Sequence, residues 1–283
     1  MTRLVTGASS VGSFLLAQLG GAHVHAPFLE PLQCNYNVSS SHLQCSDEHG
    51  SKLYEIEFRD GPPVGGLALS ELAPKVSTKR VLDLGTGNGI IAIAMAVKGC
   101  ESVFAVDISE RGCRLAAGNA RRNHKEHAIS VLMGDLASPL MGKAIDSILS
   151  NPPQLPTNVD NPDTRNFAGP TGYEIIDRII SESKDCLTTS GELWLYVLGF
   201  LGVEKSTGSL PSLFERLRMS GFHPRVIRKL RRRYSKDVNI QEALPLIQDL
   251  YPMSDIARNS TTAGYYEVFV VRGSKLACED SRH

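Results

Sequence analysis

Four side chains with hydrogen-bonding oxygens stand at the ends of four successive apolar runs, and each could hold one part of a ligand. Asp83 ends "KRVLDL" and opens D-x-G-x-G-x-G, where Gly85, Gly87 and Gly89 permit tight turns and close approach of a ligand to the backbone. A carboxylate there repels a pyrophosphate but accepts hydrogen bonds from an ammonium group. It therefore argues against a dinucleotide and for a cationic cofactor that carries an amino acid. Asp107 ends "ESVFAVD", about 20 residues after the glycines, the spacing at which a carboxylate binds both hydroxyls of a ribose. Asp135 ends "AISVLMGD", placed to reach an adenine amino group. Asn151 ends "AIDSILS" and is followed by Pro152, Pro153 and Gln154. Proline removes the backbone donor and fixes φ, so this is a stiff corner with free carbonyls. The Asn151 side-chain carbonyl and the Pro152 backbone carbonyl are acceptors fixed before a substrate arrives.

Positioning these groups requires a sheet whose strand ends share one edge. "KRVLDLGTGNGIIAIAMAVKG" reads as strand, glycine loop and apolar helix, the unit of an open parallel α/β sheet. "ERGCRLAAGNARRN" reads as the next helix. Further helices are expected over about Tyr173 to Leu187 and 210–221, and further strands over 191–198 and 265–271. "SKLYEIEFRDGPP" reads as one strand closed by a turn, with Pro62 and Pro63 at the boundary between an N-terminal appendage (1–60) and a catalytic domain (61–283). The appendage would cap the active site, select substrate or pair two subunits. "VTGASSVG" resembles the opening of a dinucleotide fold, but only a few residues precede Gly7 and Phe14 stands where a glycine is needed. A short helix from about Ser10 to Leu19 is the reading there.

Lysine plus arginine and aspartate plus glutamate both count 30 in 283 residues, so no basic field recruits nucleic acid in bulk. No apolar run reaches the roughly 18 residues of a membrane span. "AHVHA" ends like a signal-peptide cleavage site, but glycines and serines break the stretch before it. Six cysteines without a CxxC spacing predict reduced thiols and a cytoplasmic protein. Cys34, His42, Cys45 and His49 fit no common zinc spacing and lie in a Ser-rich stretch, read as a surface loop without metal.

Residues 60–272 resemble the class I S-adenosylmethionine-dependent methyltransferases. "DLGTGNG", "VDIS" and "GDL" are similar to the first three motifs of that family. "NPPQ" is similar to the Asn/Asp-Pro-Pro-Tyr/Phe motif of enzymes that methylate planar nitrogen, among them release-factor glutamine methyltransferases and RNA and DNA amino-methyltransferases. The resemblance implies a Rossmann-like, seven-stranded, mostly parallel sheet with one antiparallel strand near the C-terminus. It implies S-adenosylmethionine as cofactor, held by Asp83, Gly85, Thr86, Gly87, Asn88, Gly89, Asp107, Ile108, Asp135, Leu136 and Asn151. It assigns the chemistry to Asn151, Pro152, Pro153 and Gln154.

Gln154 departs from the aromatic of that motif and offers no comparable π-face for a flat acceptor. Pro153-Gln154-Leu155 instead resembles the corner in the methyltransferase domain of methionine S-methyltransferases. The expected acceptor is therefore small and amino-acid-like, methionine sulfur first, which needs no general base. N-methylation of a protein glutamine, an RNA base or another small molecule is the alternative. Tyr173 is a candidate to face such a substrate, or else packs at a helix start. Arg231 and Arg232, in "RKLRRRYSK", could take its carboxylate, or else belong to a solvated strand or loop. A small-molecule partner is expected, with no nucleic acid or membrane, and a homo-oligomer through the N-terminal region is possible.

Overall fold

The computed structural model describes residues 35–39, 41–47, 49–59, 63–72, 80–159, 165–233, 238–259 and 265–275. The helix expected from Ser10 to Leu19, and Cys34, lie outside them. Three short antiparallel strands come first: β1 (Asn35–Val38), β2 (His42–Ser46) and β3 (Lys52–Glu57), in the order β1-β2-β3. They replace the surface loop expected around the Cys/His group. Along β2 the side chains alternate, so His42 is exposed while Leu43 and Cys45 enter the core. The third strand lies within the segment read as a strand, and α1 (Val64–Leu72) follows, where no helix was expected.

The main sheet contains β4 (Arg80–Leu84), β5 (Ser102–Asp107), β6 (Ile129–Met133), β7 (Ile145–Ser150), β8 (Leu187–Leu198), β9 (Phe222–Arg233) and β10 (Tyr265–Lys275). Their order is β6-β5-β4-β7-β8-β10-β9, and β10 alone runs antiparallel to its two neighbours. This is the seven-stranded, mostly parallel sheet that the motifs imply. Strands β4 and β7 are buried almost throughout, as strands covered on both faces must be. The connecting helices are α2 (Ile90–Val97), α3 (Glu110–Arg122), α4 (Glu174–Cys186) and α5 (Leu213–Met219). Seven of the eight residues of α2 are buried, which explains why its sequence is apolar all round: the sheet, α1 and α3 enclose it. Two further helices, α6 (Val238–Leu250) and α7 (Asp255–Asn259), lie between β9 and β10.

The chain moves outward from β4 through β5 to β6 on one side, and from β7 to β8 on the other. The crevice beyond the ends of β4 and β7 is therefore the switch point where open α/β sheets bind ligands. Residues 228–233 of the basic run, read as either strand or loop, lie in β9 at the edge of the sheet. Charged side chains suit an edge because they discourage pairing with another chain. Among the described residues no helix is long and apolar enough to cross a membrane.

Candidate active site

Asp83 and Asn151 flank the switch point. The two strands are locked at their last pair, where Leu84 faces Ser150 and the Ser150 hydroxyl donates to the Leu84 carbonyl at 2.8 Å. Asp83 is fully buried. One carboxylate oxygen accepts from the Thr86 hydroxyl at 2.6 Å and from the Ala92 amide at 3.1 Å. The other, Oδ1, is buried with no hydrogen-bond partner among the described residues. Burial pushes the Asp83 pKa up to about 7, against the lowering effect of the Thr86 and Ala92 hydrogen bonds. An ammonium group would restore the charge that this site disfavours.

The glycine loop follows. Gly85, Gly87 and Gly89 have φ of 71°, 54° and 80°, in the left-handed region open to glycine. A Cβ on Gly85 or Gly87 would meet no atom within 4 Å, so ligand space lies beside the loop. Gly89 is different: its Cβ would stand 3.1 Å from the Ala116 backbone, so α3 rests against the loop there. Thr86 is spent on Asp83, and the Asn88 side chain accepts from the Ile90 amide at 3.2 Å at the start of α2.

Asp107 accepts the Gly87 amide on one oxygen and the Ser109 amide on the other, each at 2.8 Å. A carboxylate has about four acceptor sites, so lone pairs remain for two hydroxyls. Ile108 beside it is 68% exposed, an apolar surface that a planar ring could cover. Asp135 is engaged at 2.9 Å by Arg178 of α4. The next residue, Leu136, has φ of 47°, and the Ala137 amide donates to Glu182 of α4 at 3.0 Å. Helix α4 thus anchors the loop that carries Asp135. These residues fit the expected cofactor: an orphaned buried carboxylate oxygen for the ammonium, an open glycine cradle, and a half-buried carboxylate for the ribose.

The corner after β7 is held from both sides. Asn151 is exposed and lies against α1, where a Cβ on Gly65 would stand 2.5 Å from its Oδ1. Only glycine lets the helix come so near. Gln154 turns the other way. Its Nε2 donates to the Tyr196 carbonyl at 2.9 Å and the Pro152 carbonyl at 3.1 Å, and its Oε1 accepts the Leu198 amide at 2.8 Å. The side chain is buried and continues the edge of β8 as an extra backbone unit would. It does not present itself to an acceptor, whereas the sequence reading had placed Gln154 among the residues that carry the chemistry.

Three other residues expected to contact substrate, Tyr173, Arg231 and Arg232, have their side chains placed elsewhere. Tyr173 is buried, its hydroxyl donates to the Leu201 and Gly202 carbonyls at 3.0 and 3.2 Å, and the Arg216 guanidinium lies 3.8 Å from its ring centroid. Burial pushes its phenol pKa up, so it stays a neutral donor, and packing is the role it fills. Arg231 and Arg232 face Glu267 and Tyr266 across β9 and β10. Strands β8 and β10 separate them from β7, about 14 Å at usual strand spacing. The sequence reading missed Gly65, Ser150, Ser109, which caps α3, and Asn119. The A-x-x-N row of α3 was the available signal for Asn119.

The fold and the site define a class I methyltransferase, and S-adenosylmethionine is its methyl donor. Residues 64–221 match the family described as Methyltransferase small domain, and the chain belongs to that family. A protein of Methanocaldococcus jannaschii, provisionally named protein N5-glutamine methyltransferase, is 37% identical over 143 residues, 49% of this chain and 71% of that protein. Ribosomal protein L11 methyltransferase of Pelotomaculum thermopropionicum is 37% identical over 191 residues, 64% of this chain and 62% of that protein. Release factor glutamine methyltransferase of Gloeobacter violaceus is 33% identical over 135 residues, 44% of this chain and 47% of that protein. The chain thus spans about half to two thirds of the length of the last two relatives.

Proposed function

We propose that the chain methylates the side-chain amide nitrogen of a glutamine in a protein. The observation that carries this reading is the pair of acceptors at the switch point: the exposed amide of Asn151, seated against Gly65 of α1, and the Pro152 carbonyl. Bound there, the cofactor supplies an electrophilic methyl group on sulfur. A glutamine amide is planar and weakly nucleophilic, and it carries two N–H groups. Oδ1 of Asn151 and the Pro152 carbonyl can each accept one of them. This orients the nitrogen and stabilises the positive charge it acquires as the new N–C bond would form and the methyl's bond to sulfur break; the methylated amide then sheds one proton to water. The Pro152 carbonyl already receives Gln154, but a carbonyl has two lone pairs and one remains.

Methionine sulfur was the expected acceptor, on the ground that Gln154 leaves a flat acceptor without a stacking partner. Gln154 is turned into β8, so its side chain meets neither a planar nor an aliphatic acceptor and does not choose between them. The names of the relatives support a protein acceptor, so the alternative reading becomes the leading one. The test is to incubate the protein with methyl-labelled S-adenosylmethionine and, separately, a release factor, ribosomal protein L11, tRNA and free methionine. Label at a glutamine amide of a protein is expected. Label confined to methionine or to tRNA would overturn the reading.

A further inference from the structure

One row of α3 faces both the glycine loop and the N-terminal sheet. Gly112, Ala116, Asn119 and Asn123 follow at successive turns of the helix. At the first, a Cβ would stand 2.8 Å from the Asp107 carboxyl carbon; at the second, the helix touches Gly89. Asn119 is fully buried, and all its hydrogen-bonding capacity is used. Its Nδ2 donates to the Asn88 carbonyl in the glycine loop at 2.8 Å and to the Glu57 carbonyl of β3 at 2.9 Å. Its Oδ1 accepts the Glu57 amide at 2.9 Å and Arg122 at 2.8 Å. Asn123 makes a second such pair with β3: it accepts the Glu55 amide at 2.8 Å and donates to the Glu55 carbonyl at 2.7 Å. Two asparagines thus take the place of a neighbouring strand for β3. Of the two, Asn119 also reaches the loop that cradles the cofactor.

We propose that Asn119 is a positioning residue for the cofactor: through it the N-terminal sheet holds the glycine loop in its binding shape, and sheet and cofactor stabilise each other. The physical reason is the sharing of one rigid amide. Its plane is fixed by the paired bonds to Glu57, so its second N–H points at a fixed place, and the Asn88 carbonyl must stay there or lose this partner in a part-buried setting. The loop residues on either side, Gly87 and Gly89, are the conformationally free ones, so an anchor at Asn88 restrains the part of the loop most able to stray. The inference rests on the cofactor site and not on which acceptor is methylated.

The test compares Asn119→Ala with Asn123→Ala by calorimetry with S-adenosylhomocysteine, and follows amide hydrogen exchange in the unaltered protein. Asn119→Ala is expected to weaken binding about tenfold, the scale of one lost buried hydrogen bond, and to raise the cofactor KM while leaving kcat at saturation unchanged. Asn123→Ala loosens β3 without touching the loop and is expected to keep affinity within about twofold. Because coupling is reciprocal, S-adenosylhomocysteine should slow exchange of the Glu57 amide more than that of the Glu55 amide in the unaltered protein. Unchanged affinity in a folded Asn119→Ala variant, equal losses in both variants, or equal slowing of the two amides would each overturn the proposal. The exchange experiment decides the matter if Asn119→Ala does not fold.

Discussion

Asn151 is an exposed amide at the end of a buried strand, held close to a helix by a glycine. Replacing it with alanine should leave S-adenosylhomocysteine affinity nearly unchanged and lower turnover by about 100-fold, the usual cost of losing one preorganised dipole. Calorimetry beside kcat measurement checks this; equal losses in both would make Asn151 a cofactor ligand instead. Asp83 predicts a pH dependence. Its carboxyl holds a proton up to about pH 7, and an ammonium ligand must displace that proton. Cofactor affinity should therefore rise with pH below about 7, by at most tenfold per unit, and level off above. The same titration on Asp83→Asn should lose that rise. At this scale the sequence was legible where chemistry sits at consecutive strand ends, as with Asp83, Asp107 and Asn151. It was illegible at Gln154, because the partners that give its amide a role, Tyr196 and Leu198, lie 42 and 44 residues further along the chain. Tyr173 was left between two roles for the same reason: the carbonyl partners that make it a packing residue are 28 and 29 residues away.

Among the elements, α1 links the N-terminal sheet to the corner. Gly65→Ala raises helix propensity, yet its new methyl would collide with Asn151. The expected outcome is a variant that binds S-adenosylhomocysteine normally, melts within a few degrees of the unaltered protein, and turns over as slowly as Asn151→Ala. Normal turnover would show that the Asn151 side chain can act from another rotamer. The glycine loop, the helices after it and β7 were readable because strong periodicity and turn residues coincide there. Strands β1 and β2 were not: four- and five-residue strands of mixed polarity look like loops until β2 finds β3 and β1 finds β2. The basic strand β9 was ambiguous because its charges belong to an edge, where alternation with solvent is weakly enforced.

For the whole molecule, the cofactor site is a source of instability that its ligand removes. Asp83 titrates near its ordinary 3.8 when unfolded and near 7 when folded. Its folded pKa is raised, so the folded state is favoured least once the buried carboxyl must ionise. Stability should be highest at low pH as far as this group decides it, fall as pH rises from about 4 to about 7, and stay level beyond. Urea unfolding of the ligand-free protein at pH 5 and pH 8, beside Asp83→Asn, isolates the effect; an identical pH slope in both proteins would exclude Asp83 as its origin. The order of the sheet has a consequence for synthesis. Strand β10 is inserted between β8 and β9, and β9 has no other neighbour in the sheet. While the chain is still being translated, β9 emerges before the strand it will lie against exists. The far edge of the sheet can assemble only after residue 275 has been added. Until then the arginines of β9 are its protection, since a strand so densely charged resists sticking to other nascent chains.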